Sequence, residues 1–337
     1  MAREKDLVLG IESSCDETAA AVVLDGHRVL ANEVASQVDI HSRYGGVVPE
    51  VASRRHLETL PLLVEEVLKQ SQVAYDDLSG IAVTASPGLI GALLVGLSAA
   101  KGLAFRLRLP LATVHHIEAH LYAVQLDADP VVFPAVGLAI SGGHTELYRI
   151  EDWGSYRLLA STRDDAAGEA FDKVAKLMGL GYPGGPVIEK LAQSSLGPVD
   201  RFPVSRMKDG SLDFSFSGLK TAVMLEIKKT PPRDDGDRAR LAARFQKTVL
   251  EEVLTRVEEV LDRERPRSLV MGGGVACNQA LREGLGTAAR SRGIAFHVPP
   301  PKYCADNAAM IAGLGAYRIA KGQVASLSAT AAPYAKL

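Results

Sequence analysis

Two histidines four residues apart, His116 and His120, are the clearest candidates for chemistry in the chain. If this segment is helical, a separation of four residues places both imidazoles on one face, about 40° apart around the helix axis. Two imidazoles in this arrangement can hold one divalent metal ion. Ordinary polar residues of a helix show the same spacing, so the spacing alone leaves both interpretations open.

A carboxylate would complete a two-histidine metal site. Asp306 is the best candidate, because it follows the turn-forming Pro299-Pro300-Pro301 and stands just ahead of a predicted helix, Ala308 to Ala320. The same position is typical of a helix N-cap. Taken from the residues alone, the cap is the favoured interpretation of Asp306.

Glu118 lies between the two histidines but does not fit a protease site. It is about 200° from His116 around the predicted helix, so its side chain points away from the pair. In the H-E-x-x-H metalloprotease motif the general base directly follows the first histidine. Here that position is Ile117, and a metalloprotease interpretation therefore lacks its base.

Two glycine-rich turns follow predicted strands and are candidates for nucleotide binding. Ser141-Gly142-Gly143-His144-Thr145 comes after the apolar run Ala135 to Ile140, and Gly272-Gly273-Gly274 comes after Ser268 to Met271. Glycine lets backbone N–H groups approach a phosphate closely. Neither turn matches a Walker A loop or the Rossmann fingerprint, and a tight structural turn is the alternative for each.

Strands and helices that alternate along the chain must position these residues, which is typical of α/β layers. A strand, polar turn and second strand occur at Leu7–Leu24 and again at Ala135–Ile150, which suggests a duplicated architecture. The predicted helices lie at 51–70, 91–103, 166–178, 241–262 and from about 278, and the Pro- and charge-rich segment 230–240 is predicted to be a loop.

The composition limits the class of protein. The chain has 337 residues, 47% of them hydrophobic, and a formal net charge of −2. This excludes a disordered chain, indicates roughly two domains and argues against nucleic-acid binding through bulk positive charge. Three widely spaced cysteines argue against a disulfide scaffold and favour a reducing compartment, so we expect a cytoplasmic protein.

The longest uncharged run, Leu78 to Ala100, approaches the length of a membrane span. It contains the turn residues Thr84-Ala85-Ser86-Pro87-Gly88, which indicate a strand, a turn and a buried helix instead. We therefore expect no contact with a membrane.

Taken together, the motifs resemble the tRNA N6-adenosine threonylcarbamoyltransferases (TsaD-like, formerly O-sialoglycoprotein endopeptidases). The resemblance covers essentially the whole chain in order. One departure is Ala119, where the family usually has Gly. The matching blocks are 10–18 (GIESSCDET), 86–91 (SPGLIG), 116–120 (HIEAH), 141–145 (SGGHT), 168–173 (GEAFDK), 182–186 (YPGGP), 213–220 (DFSFSGLK), 272–278 (GGGVACN) and 306–307 (DN).

The resemblance implies an actin/Hsp70-like α/β fold with two duplicated lobes and a nucleotide in the cleft between them. The expected N-terminal lobe is 1–130, completed by the C-terminal helix at about 308–337, and the expected C-terminal lobe is 131–307. The resemblance also implies a divalent metal, Fe²⁺ with Zn²⁺ as the alternative, held by His116, His120 and Asp306. The implied substrate and nucleotide residues are Ala139, Ile140, Ser141, Gly142, Gly143, Asp172, Gly185, Glu189 and Asn278.

The implied reaction moves the threonylcarbamoyl group from threonylcarbamoyl-AMP to N6 of adenosine 37, in tRNAs that read codons beginning with adenine, and releases AMP. No covalent nucleophile is expected. The implied partners are a TsaB-like paralogous subunit and a TsaE-like ATPase subunit. The apolar stripe of the helix 51–70 is a candidate for the TsaB-like interface, with Leu60 and Val64 as test positions.

Three rival functions follow from the same motifs. An ATP-dependent phosphotransferase or chaperone-type ATPase of this fold would use the glycine-rich turns but would leave the histidine pair unexplained. A metalloprotease lacks the glutamate base. A non-catalytic scaffold paralogue should lack the metal ligands, whereas this chain has all three.

Overall fold

The computed structural model describes residues 6–44, 46–204 and 209–337. These residues form ten strands and ten α-helices. The strands are β1 (Leu7–Glu12), β2 (Glu17–Leu24), β3 (Arg28–Ser36), β4 (Gly80–Ser86), β5 (Leu111–His115), β6 (Ala135–Ile140), β7 (Thr145–Asp152), β8 (Ser155–Ser161), β9 (Ser268–Gly272) and β10 (Ala295–His297). The helices are α1 (Val38–His41), α2 (Pro49–Ser71), α3 (Ile90–Leu107), α4 (His116–Tyr122), α5 (Ala167–Leu177), α6 (Gly184–Gln193), α7 (Ser217–Lys229), α8 (Asp235–Glu264), α9 (Gln279–Arg290) and α10 (Ala308–Ala320).

Two five-stranded sheets have the same topology. The first has the order β3-β2-β1-β4-β5 and the second β8-β7-β6-β9-β10. In each, the first three strands in sequence form an antiparallel meander, and the last two extend the sheet in parallel from its first strand. The duplication that the two strand–turn–strand segments predicted is therefore present at the level of the sheets.

The chain forms two compact units. The first comprises residues up to 130 together with 299–337, and the second comprises 131–298. Residues 299–307, which were expected in the C-terminal lobe, group with the first unit. They lead directly into α10, whose residues pack on β1, β2 and β4. Residues 1–5 of the expected first lobe lie outside the described residues.

The strand β1 is the centre of the first unit. Leu9 and Ile11 pack into one apolar cluster with side chains of α2 and α3, while Gly10 lies against α10. Successive residues of a strand point to opposite faces, so β1 is covered on both faces. This explains why its sequence is almost continuously apolar.

Leu60 and Val64 of α2 belong to that cluster and are 2% and 5% exposed. The expectation that these positions face a partner is therefore wrong. An amphipathic helix identifies its apolar stripe, but here the stripe packs on the unit's own sheet. The exposed apolar side chains of α2 are Leu57 and Leu62.

The run Leu78 to Ala100 forms β4, a turn and the start of α3, as predicted. Among the described residues, α3 alone is long and apolar enough to cross a membrane, and a third of that 18-residue span is buried. Leu97, Ala100 and Ala104 of α3 belong to the core cluster. Its apolar composition is accounted for by this packing.

The helix α8 begins at Asp235, so the prediction of a loop over 230–240 is wrong in its second half. The Asp234 carboxylate accepts a hydrogen bond of 2.8 Å from the backbone N–H of Asp237 and caps the helix. The first turns of α8 are polar and exposed. An apolar period therefore begins only near Leu241, although the helix starts six residues earlier.

Candidate metal centre and glycine-rich turns

The two histidines extend from α4, and their Nε2 atoms face the same carboxylate oxygen. Asp306 Oδ1 lies 3.5 Å from His116 Nε2 and 3.1 Å from His120 Nε2. One ligand atom from each of the three side chains lies within 4.8 Å of the other two. The structure thus brings Asp306 together with two histidines that lie far from it in the sequence.

Asp306 is not the cap of α10. The side chain of Asn307 caps that helix by accepting a hydrogen bond of 3.1 Å from the backbone N–H of Met310. The interpretation of Asp306 as an N-cap, which the residues alone favoured, is therefore wrong. Its carboxylate is left to face the two imidazoles.

A cation fits this arrangement because His120 is incompletely satisfied. Its side chain is 1% exposed, its Nε2 lies 3.1 Å from Asp306 Oδ1, and its Nδ1 has no hydrogen-bond partner among the described residues. A buried polar atom without a partner costs free energy. Two imidazole nitrogens and a carboxylate oxygen suit Fe²⁺ and Zn²⁺ alike, so these three side chains could hold a metal ion.

The other ring nitrogen of His116 faces a carboxylate that the sequence analysis did not single out. Nδ1 lies 2.9 Å from Glu12 Oε2 and 3.3 Å from the Ser14 hydroxyl. The hydroxyl of Thr84 donates to the same Glu12 oxygen at 2.7 Å. The only signal in the sequence was a charged residue at the end of a buried apolar strand.

Burial and neighbouring charges shift the pKa values in opposite directions across the cluster. Burial disfavours ionised Asp306, but the charge and hydrogen bonding of His116 outweigh it and hold the pKa of Asp306 well below its usual value. Burial likewise opposes the charge on His116, and the carboxylates of Asp306 and Glu12 nevertheless raise its pKa well above 6.5. Burial and the charge on His116 lower the pKa of His120.

Cys15, three residues after Glu12, is not poised for nucleophilic attack. Burial, followed by the charge of Asp16, raises the pKa of the Cys15 thiol far above its usual value. The same two causes raise the pKa of Glu17 to about 9. The thiolate is the reactive form of cysteine, so Cys15 is a poor nucleophile at neutral pH.

In the second unit, the two glycine-rich turns lie side by side. Strands β6 and β9 are parallel neighbours, with Ala139 opposite Gly272, so the turns that follow them leave the same edge of the sheet. Gly273 has φ +103°, and a Cβ atom there would lie 2.3 Å from the Ile140 carbonyl oxygen. Only glycine permits this close approach.

The first turn is closed by hydrogen bonds and packs on a helix start. Ser141 N–H donates to the His144 carbonyl at 2.8 Å, and the Gly168 N–H at the start of α5 donates to the Ser141 carbonyl at 3.2 Å. Gly142 and Gly143 are exposed, and a Cβ at either would have no described neighbour within 4 Å. The space over these two backbone groups is therefore open.

The other predicted substrate residues connect the starts of helices in the same unit. Asp172 Oδ1 accepts a hydrogen bond of 2.7 Å from Gly184 N–H, beside Gly185, and Glu189 Oε1 accepts one of 2.8 Å from Gln279 N–H. Asn278 caps α9 through Leu281 N–H and donates to Gln246. These contacts account for the residues structurally, and their role in substrate binding stays a prediction.

A family model described as "TsaD: tRNA N6-adenosine threonylcarbamoyltransferase" matches residues 28–313. The chain belongs to the tRNA N6-adenosine threonylcarbamoyltransferase family. It is 52% identical to the Geobacter sp. (strain M21) enzyme of that name over 327 residues, which is 97% of this chain and 95% of the relative. It is 52% identical to the Symbiobacterium thermophilum enzyme over 328 residues, 97% of this chain and 96% of the relative. The resemblance seen in the motifs is confirmed, and the chain is a transferase of this family.

Solved structures of low sequence identity share the fold. The activator of 2-hydroxyisocaproyl-CoA dehydratase from Clostridium difficile superposes with a TM-score of 0.54 at 15% identity, covering 96% of this chain and 100% of the activator. Full-length HypF gives a TM-score of 0.59 at 14% identity, covering 92% of this chain and 46% of HypF. This member of the threonylcarbamoyltransferase family therefore has the predicted actin/Hsp70-like α/β fold.

Proposed function

We propose that this threonylcarbamoyltransferase transfers its group from threonylcarbamoyl-AMP to N6 of adenosine 37, in tRNAs that read codons beginning with adenine. The N6 amine attacks the carbamoyl carbon, the bond from that carbon to the phosphate oxygen of AMP breaks, and N6 loses a proton. The observation that carries the proposal is the His116, His120 and Asp306 cluster in a chain of this family. A plain nucleotide hydrolase of this fold would leave the cluster unexplained.

His116, His120 and Asp306 would hold one divalent cation, Fe²⁺ in our proposal and Zn²⁺ as the alternative. When bound, such a cation supplies a Lewis acid and a template for the oxygen atoms of the substrate. The burial of His120 and the orientation of both Nε2 atoms toward Asp306 support this assignment.

The adenylate part of the donor would lie at the glycine-rich turns of the second unit. Exposed backbone N–H groups at Gly142 and Gly143 can donate to a phosphate that gains charge as it leaves. Helix starts at Ala167, Gly184 and Gln279, on α5, α6 and α9, favour a negative charge nearby. In this proposal Asp172, Glu189 and Asn278 shape the site through contacts that hold these helix starts in place.

No covalent intermediate is needed in this reaction. Threonylcarbamoyl-AMP is a mixed anhydride, so its carbonyl carbon is already electrophilic. The adenine amine is a weak nucleophile because its lone pair is delocalised into the ring, and positioning is the main contribution that the protein can make. Adenosine 37 lies in the anticodon loop, where an unpaired base can be splayed into a pocket.

A TsaB-like subunit is the partner we propose for the groove between α2 and α3. This groove has a volume of about 430 Å³. Apolar side chains of both helices line most of it, together with the polar side chains of His56 and Ser98. Leu57 is 63% exposed and Leu94 is 48% exposed. Neighbouring exposed apolar side chains are typical of a protein interface.

A TsaE-like ATPase is the second proposed partner. We propose that the transferase and both partner subunits act in the cytoplasm.

A transfer assay with a substrate control tests the proposed reaction. The protein and its partner subunits are incubated with threonylcarbamoyl-AMP, labelled in the threonine, and with an unmodified tRNA transcript. We expect label in the tRNA and an equal amount of AMP. A transcript with guanosine at position 37 has no N6 amine and should accept no label. Equal labelling of both transcripts would contradict the assignment of the acceptor atom.

A further inference from the structure

Glu12 is a buried carboxylate to which the proposed reaction gives no role. It is the last residue of β1, is 1% exposed and stands 104 residues before His116 in the sequence. Its two oxygens accept from different donors. Oε1 accepts from the backbone N–H of Ser14 at 2.5 Å, and Oε2 accepts from the Thr84 hydroxyl at 2.7 Å and lies 2.9 Å from His116 Nδ1.

The donors determine what Glu12 does to His116. A carboxylate has no proton to donate, so the contact with Nδ1 is a hydrogen bond only when Nδ1 carries the proton. A neutral imidazole protonated at Nδ1 has its lone pair on Nε2. His116 Nε2 is the nitrogen that faces Asp306.

We propose that Glu12 is a positioning residue that keeps the Nδ1 tautomer of His116, so that the Nε2 lone pair is directed to the metal. This inference rests on the metal site of the proposed function. A carboxylate behind a metal-bound histidine orients the ring and strengthens it as a ligand, and loss of such a group weakens metal binding about 10–100-fold.

The substitution Glu12→Gln separates this role from simple filling of space. The amide has nearly the shape of the carboxylate, but one of its two ends is a donor. Because both oxygens of Glu12 accept hydrogen bonds, the NH₂ group of Gln must face a donor on one side. If it faces His116, Nδ1 must accept, the proton moves to Nε2 and the lone pair for the metal is lost.

Glu17→Gln is the matched control. Glu17 is five residues away and accepts a hydrogen bond of 2.8 Å from the Ser36 hydroxyl. It is not one of the three candidate metal ligands. The same substitution there keeps the shape of the side chain and leaves the contact between Glu12 and His116 in place.

The first measurement is zinc affinity, by competition with a chelator on metal-free protein whose folding is checked by thermal unfolding. We expect Glu12→Gln to bind Zn²⁺ about 10–100-fold more weakly than wild type, and Glu17→Gln to stay within about threefold, since it touches no ligand. Zinc affinity of a folded Glu12→Gln variant within about threefold of wild type would overturn the proposal.

The second measurement needs no variant of Glu12 and remains decisive if Glu12→Gln does not fold. Long-range proton–nitrogen NMR of the zinc-loaded, ¹⁵N-histidine-labelled wild type identifies the protonated and the metal-bound ring nitrogens. We expect His116 to carry a proton on Nδ1 and zinc on Nε2. Zinc on Nδ1 would overturn the role of Glu12 alone. Wild-type protein that binds no zinc would overturn the metal site and this inference with it.

Discussion

Arg318 on α10 donates a hydrogen bond through Nη2 to the Glu118 carboxylate on α4 and so joins the two helices. His116 and His120 lie on α4, and Asp306 precedes α10. Glu118 is 2% exposed at its side chain, and Arg318 also donates to the Thr113 carbonyl at 2.5 Å. Glu118 therefore points away from His116 and His120, as the helical spacing predicted. It ties α4 to α10 and contributes no ligand.

Replacing Arg318 by Leu should destabilise the fold, because it removes the hydrogen bond and the positive charge that Arg318 supplies to the buried Glu118 carboxylate. Removing one member of a buried ion pair typically costs about 3–5 kcal/mol. Urea unfolding measures the change. The double variant Glu118→Leu/Arg318→Leu should recover most of the loss, since it removes both members of the ion pair. A double variant as unstable as Arg318→Leu would show that packing, and not the ion pair, joins the helices.

Purified protein should contain about one divalent metal ion per chain, held by nitrogen and oxygen ligands. His116→Ala and Asp306→Ala should each lose it while the protein stays folded, as measured by elemental analysis and circular dichroism. Asn307→Ala is the control for Asp306. This substitution removes the N-cap and the hydrogen bonds from Asn307 Nδ2 to the Tyr303 and Ala305 carbonyls. It should cost at least about 1 kcal/mol of stability, but all three ligands remain and the metal should stay bound. Full metal content in both ligand variants would rule out this ligand set.

The histidine pair and its shared face could be predicted from the sequence, because two residues separated by four positions on one helix have a fixed relative orientation. Asp306 could not be assigned, because a carboxylate ahead of a helix is equally a cap. Only the structure shows that Asn307 caps α10. Glu12 could not be predicted either, since its contact with His116 joins residues 104 positions apart and depends on the tertiary structure.

The helix α2 shows the same limit. Its apolar stripe was visible in the sequence, and so were the glycine-rich turns and most strands. Whether the stripe packs on a sheet or on a partner depends on tertiary structure, and Leu60 and Val64 pack on the sheet. The start of α8 had a local signal in the Asp234 cap, but its polar first turns lack the apolar period.

Gly273 and Gly274 should differ sharply in their tolerance of a methyl group. A Cβ at Gly273 would lie 2.3 Å from the Ile140 carbonyl oxygen at φ +103°, whereas a Cβ at Gly274 has no described neighbour within 4 Å. We expect Gly273→Ala to unfold at a lower temperature than wild type, because the turn must shift. Calorimetry on both variants measures this. Gly274→Ala should unfold at the wild-type temperature, and equal losses of stability for the two substitutions would contradict this description of the turn.

Replacing Leu57 or Leu94 by Asp should abolish co-purification with the TsaB-like subunit, because a charge would be buried in the proposed groove. Both side chains are exposed in the single chain, so the variants should fold. Leu225→Asp on α7 is the control, since Leu225 is 57% exposed and lies outside the groove. Unchanged co-purification of folded Leu57→Asp and Leu94→Asp variants would exclude the groove as the interface.

Mass spectrometry of tRNA nucleosides after reaction tests the proposed transfer directly. Wild-type protein with threonylcarbamoyl-AMP, tRNA and its partner subunits should yield threonylcarbamoyladenosine at position 37, in an amount equal to the AMP released. A folded His116→Ala variant in the same mixture should yield none. If wild-type protein with all partners forms no modified adenosine but hydrolyses ATP freely, the protein acts as an ATPase of this fold and the proposed transfer reaction is wrong.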